Sequence, residues 1–125
     1  KDLEGIKVIK GYEDLKVYQI SYQLTLRLYD ITTKYPEEEK YGLISQIKRS
    51  AMSIVLNIAE GYGREDSAKE FKHFLRNALG SCNETRVLID ISKDLNYIKE
   101  TEYKELKAAY EKLSKMIYRL MHSWK

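Results

Sequence analysis

The chain has 125 residues and a net charge of +3. That length sets one domain, large enough to bury a core without disulfides, and no apolar run approaches the roughly 20 residues of a membrane span. The mild positive charge permits attraction to nucleic acid without demanding it, and a single cysteine, Cys82, excludes an intrachain disulfide and fits a reducing, cytoplasmic setting.

Residues 1–11 (KDLEGIKVIKG) have no helical period and no signal-peptide core. They are expected to form an extended or disordered leader, with the domain proper over 12–125. A first helix is expected from Glu13 to Lys34, because Val17, Ile20, Leu24, Leu28 and Ile31 step by three and four. Tyr18, Tyr22 and Tyr29 make an adjacent stripe. Tyrosine suits half-buried places such as subunit interfaces and RNA-stacking surfaces, and the helical spacing favours the interface. Pro36 closes this region and, with Glu37, Glu38 and Glu39, suits the first turn of a second helix.

That second helix contains the stretch Leu43 to Arg64. Leu43, Ile47, Ala51, Ile54 and Ile58 form one apolar side, while Met52, Leu56 and Ala59 form another. Gln46, Arg49, Ser50, Ser53, Asn57 and Glu60 make a narrow polar seam. A four-helix core covers only one side of such a helix, so further copies of the chain are expected to cover the other. Gly61 is a candidate left-handed cap.

A third helix opens with Ser67-Ala68-Lys69-Glu70, the pattern of a capping box. Phe71, Phe74, Leu75, Ala78, Cys82, Thr85 and Ile89 share a face, which Leu88, Ile91 and Leu95 broaden. Gly80 in mid-helix implies a close helix contact, and Asn96 a stop. Asn77, Ser81 and Glu84 lie on one side. A fourth helix is expected from Thr101, as N-cap, to Trp124, with Leu106, Tyr110, Leu113, Ile117, Leu120 and Trp124 as its core stripe. Short connections make neighbours antiparallel, which gives an all-α, up-down-up-down four-helix bundle.

Chemistry is sparse. His73, His122 and Cys82 stand apart, without the spacings that bind metal in a bundle core, so no metal or other cofactor is expected. Gly61-Tyr62-Gly63 lacks the strand and the Lys-Ser/Thr end of a phosphate loop. No serine or cysteine has a paired histidine, so no catalytic residue is assigned. Gln46, Arg49, Ser53, Asn57 and Glu60 are expected to meet Ser81 and Glu84 in a polar network or interface, with Arg49 reaching Glu84 or Glu60. Two basic groups could neutralise the phosphates of RNA or DNA. One is Arg64, Lys69, Lys72 and Arg76; the other is Lys104, Lys112, Lys115 and Arg119. Carboxylates are interleaved with both.

Several motifs together are familiar. They are Gly42-Leu43, Gln46 to Ala51, Ser53-Ile54, Asn57 to Gly61, and Gly80-Ser81 with Glu84, preceded by Asp14 to Gln19 and Thr33 to Pro36. This set resembles the signature of four-helix-bundle proteins encoded in intervening sequences of bacterial 23S rRNA genes. The resemblance spans Tyr12 to Trp124, with Tyr18 where the family often has tryptophan and Lys48 where arginine is common. It implies a ring-like homopentamer without established enzymatic activity. It also implies a link to accessory proteins of diversity-generating retroelements, which are similar in fold and bind a reverse transcriptase and nucleic acid.

Overall fold

The computed structural model describes residues 2–3 and 6–124, with side chains from Val8 onward. Four helices carry the fold: α1 (Lys16–Thr32), α2 (Leu43–Tyr62), α3 (Ala68–Asp94) and α4 (Glu100–Ser123). Each packs on the next, and α1 closes the square against α4. The fold is an all-α, antiparallel four-helix bundle. One stripe of each helix fills its centre, including Leu28, Ile47, Ile54, Phe71, Leu75, Leu106, Leu113 and Ile117, all nearly or fully buried. The leader falls partly outside the described residues. Within them, Asp2–Leu3 (β1) pairs antiparallel with Ile6–Lys7 (β2).

Several element boundaries differ from the periodicity. α1 begins at Lys16 rather than Glu13, because Tyr12–Asp14 forms a separate 3-10 turn. α2 begins at Leu43 rather than near Pro36. Glu37–Glu39 is another 3-10 turn, and Gly42, at φ −115° and ψ −106°, breaks the path between them. α4 starts at Glu100, so Thr101 lies inside the helix and is not its cap. The Glu102 carboxylate instead accepts from the Lys99 backbone N–H at 3.2 Å. Asn96 does end its helix region, at φ 64°. That is the left-handed conformation asparagine tolerates best among residues with a side chain.

Gly61 is not a left-handed cap. It lies buried inside α2, where a Cβ would stand 2.7 Å from the Phe74 Cβ. The missing side chain therefore lets α3 approach. Gly80 shows the reverse: a Cβ there would meet nothing within 4 Å, so no helix contact among the described residues explains it. Ser67 Oγ accepts from the Glu70 N–H at 3.2 Å, half of the expected capping box, while the Glu70 carboxylate sits 3.5 Å from Arg64 Nε. Met121 is buried where Leu120 and Trp124 were expected to be; these two are half-buried. Trp124 closes one end of the bundle edge-on to Phe71, with ring centroids 4.7 Å apart.

Candidate functional site

Four features of the surface and interior bear on function. The first is the seam between α2 and α3. Ser81 Oγ donates to Ser53 Oγ at 2.8 Å, and Asn57 Nδ2 donates to the Ser53 carbonyl and hydroxyl at 2.8 and 3.1 Å. One turn away, Thr85 Oγ1 donates to Ser50 Oγ at 2.8 Å, which passes its own proton to the Ile47 carbonyl at 3.2 Å. Small hydroxyls satisfy one another here and let the helices approach, so the buried polar atoms cost little. The longer side chains stay outside. Gln46, Arg49, Glu60 and Glu84 are exposed. Glu60 lies 3.4 Å from Arg64, and among the described residues Arg49 has no ion pair with either Glu60 or Glu84. The arginine fork therefore does not close the seam within one chain.

The second feature is apolar surface left bare. Tyr22, Leu26, Met52 and Leu56 are 45%, 52%, 41% and 58% exposed. With Tyr18, Thr25, Tyr29 and Val55 they line a groove of about 350 Å³ between α1 and α2. The Tyr29 hydroxyl donates to Met52 Sδ at 3.0 Å, and the Lys48 ammonium sits over the Tyr29 ring. On a different face, Val87, Ile91 and Leu95 form an exposed ridge along the second half of α3. The periodicity places Ile91 and Leu95 on the core face; the bundle turns them outward, because Leu88, Ile89 and Ser92 already occupy the buried side of α3. Contiguous apolar surface of this kind marks interaction sites.

The third feature is electrostatic. Arg86 lies 3.4 Å from Glu111, and Lys107 lies 2.7 Å from Asp90. These two pairs fix the antiparallel register of α3 and α4. Carried to the end of the bundle, that register sets residues 73–85 beside residues 112–124. The α4 run contains no aspartate or glutamate, and the α3 run contains one, Glu84, which lies on another side of the helix from Leu79. Together they hold Arg76, Lys112, Lys115 and Arg119, with His73 and His122, and Lys72 stands just before the first run. Leu79, Ser114, Lys115, Tyr118 and Arg119 line a groove of about 400 Å³ there. Lys69, Lys72 and Arg76 lead to Leu79 at helical steps of three and four, on the same side of α3. The α3 stripe of Lys72, Arg76, Leu79 and Asn83 holds no carboxylate, and the pairing of the two helices brings it beside the basic residues of α4. Two of the basic candidates are elsewhere. Arg64 is held between Glu60 and Glu70, with its guanidinium 4.8 Å from the Phe74 ring centroid. Lys104 lies toward the other end of α4, 4.0 Å from Glu100.

The fourth feature is internal. Cys82 is fully buried, and burial pushes its thiol up to about 11, against smaller lowering effects of Ser114 and Arg86. A thiol so protonated is a poor nucleophile at neutral pH. Around it, Tyr110 Oη, Ser114 Oγ and Arg86 Nε are buried without hydrogen-bond partners among the described residues. Burial raises the Tyr110 hydroxyl far above its ordinary value, so it stays neutral. Among the described residues no three His, Cys, Asp or Glu side chains gather to hold a metal ion, and no helix is long and apolar enough to cross a membrane.

The fold and sequence have known counterparts. A crystal structure of a protein of unknown function, from the S23 ribosomal protein family of Bacteroides thetaiotaomicron, superposes with a TM-score of 0.76. It is 23% identical, and the match covers 86% of this chain and 96% of the other. At that identity the likeness speaks to the fold. No curated protein matches the chain. The family model for the 23S rRNA-intervening sequence protein matches residues 13–119, from the turn before α1 almost to the end of α4. The chain belongs to the 23S rRNA-intervening sequence protein family.

Proposed function

We propose that the protein is a non-enzymatic, self-assembling helical scaffold that works beside RNA or the ribosome in the cytoplasm. The observation that carries the assembly is the apolar groove between α1 and α2, where Leu26 and Leu56 stand more than half exposed. Returning these side chains to an apolar environment is worth roughly 25 cal/mol per Å² of apolar area. The Val87, Ile91 and Leu95 ridge is a second, non-identical patch. Two different patches suit a head-to-tail contact, which closes into a ring when its rotation allows. A homopentamer is the ring that the family resemblance implies. Arg49 and Glu84, both exposed, are available to meet across such a contact. Light scattering after gel filtration tests this: wild type should have five times the mass of the chain, and Leu56→Glu should have the mass of one chain. A wild-type protein that is monomeric at micromolar concentration overturns the assembly.

The basic stripes of α3 and α4 beside the Leu79 and Tyr118 groove favour a second reading, that of a nucleic-acid-binding accessory subunit of the kind that partners a reverse transcriptase. Binding to RNA or DNA that weakens steeply with salt supports it, and no binding at low salt removes it.

A further inference from the structure

We infer that the groove between α3 and α4 is a site for single-stranded nucleic acid, with one base stacked on Tyr118 and the flanking phosphates held by Lys72, Arg76, Lys115 and Arg119. The inference rests on the second reading above and adds the strand type and the stacking residue. Three observations converge on it. Tyr118 is 55% exposed although it lies beside Leu79 in a groove of about 400 Å³. The His122 ring packs against it with centroids 4.1 Å apart, which backs the tyrosine and limits its swing. The cations around it come from two antiparallel helices, and neither the α3 stripe of Lys72, Arg76, Leu79 and Asn83 nor the α4 run 112–124 holds a carboxylate.

Charge complementarity therefore selects a polyanion. The aromatic ring then selects among polyanions. A base can lie on Tyr118 only if its face is free, and a duplex keeps its bases stacked inside; successive phosphates of a single strand can meanwhile follow the basic stripe. The site lies on the first half of α3, whereas the apolar ridge lies on its second half, so assembly through that ridge leaves the groove open.

The test is fluorescence anisotropy with a labelled 12-mer of oligouridine RNA, the matching oligothymidine DNA and a duplex of equal length, each across a salt series. Both single strands should bind more tightly than the duplex. With about four phosphates neutralised, the logarithmic salt slope should be about −3. Tyr118→Ala should weaken binding about tenfold without changing that slope, as loss of one stacked base does. Tyr118→Phe should restore it. The double change Lys115→Ala with Arg119→Ala should make the slope shallower by about 1.4. Tyr118 is exposed, and an unchanged melting temperature certifies each variant as folded. Tighter binding of RNA than DNA, or equal binding of the two, supports the site and states which strand it takes. If Tyr118→Ala binds as wild type does while the lysine and arginine changes weaken binding, the stacking site is wrong and the nucleic-acid reading survives. Equal binding of the duplex, or equal competition by polyglutamate, also overturns the site. If wild type binds nothing at low salt, both fall.

Discussion

The hydroxyls of Ser53 on α2 and Ser81 on α3 lie 2.8 Å apart, in the middle of the longest helix-to-helix contact of the bundle. One turn further on, Thr85 and Ser50 repeat the arrangement at the same distance, fully out of solvent. The two bonds act as pins on the sliding of α2 against α3. Loss of the Thr85 hydroxyl leaves the buried Ser50 oxygen without its donor. Thr85→Val is therefore expected to lower stability by about 1–3 kcal/mol, read as a shift of the urea midpoint. An unchanged midpoint would show that the Ser50 hydroxyl, which keeps its bond to the Ile47 carbonyl, needs no second partner.

Two glycines should respond in opposite directions. A Cβ at Gly61 would stand 2.7 Å from the Phe74 Cβ and 3.0 Å from the Phe71 ring. Gly61→Ala should force α3 away and destabilise the fold by about 1–3 kcal/mol. Gly80 faces open space, so Gly80→Ala in a monomeric background should gain up to about 1 kcal/mol from helix propensity. Thermal melting of both variants in the Leu56→Glu background checks the pair. If Gly80→Ala is neutral there but weakens the wild-type assembly, another copy packs against that surface.

Tyr110 is fully buried and its hydroxyl has no partner among the described residues. Tyr110→Phe removes that hydroxyl and keeps the ring. The variant should be as stable as wild type or more stable by about 1 kcal/mol. A loss of stability in calorimetry would instead mean that an ordered water joins Tyr110 to Ser114 and Arg86.

Asp90 accepts from the Tyr103 hydroxyl at 2.8 Å and from the Lys107 ammonium at 2.7 Å. Partial burial alone would raise its pKa, but these hydrogen bonds outweigh it and hold the carboxyl below its ordinary 3.8. A depressed folded value stabilises the protein above the unfolded pKa, and that stability is lost as pH falls through the folded value. The side chain is partly exposed, so the pair contributes up to about 1 kcal/mol. Urea midpoints of Asp90→Asn should be lower than those of wild type at neutral pH, and the difference should close below about pH 4. A difference that persists in acid would point to packing rather than charge.

Helix number, order and inner faces were legible in the sequence, because a period of 3.6 is a local property and any single core imposes it on every helix. The excess apolar surface of Leu43 to Arg64 was legible for the same reason: Met52 and Leu56 fall on a side that one core does not use, and both are exposed. What the chain alone could not decide was which residues of different helices stand level. Gly61 reads as a cap until Phe71 and Phe74 are seen against it. Ile91 and Leu95 read as core until α2 and α4 occupy the inner side of α3. The basic residues of α3 and α4 read as diluted by carboxylates until the Arg86–Glu111 and Lys107–Asp90 pairs set the register and bring the Lys72 and Arg76 stripe beside the carboxylate-free run 112–124. Periodicity fixes a residue's angle about its own helix, whereas the level of one helix against another depends on contacts between residues well separated along the chain, which only the folded chain brings together.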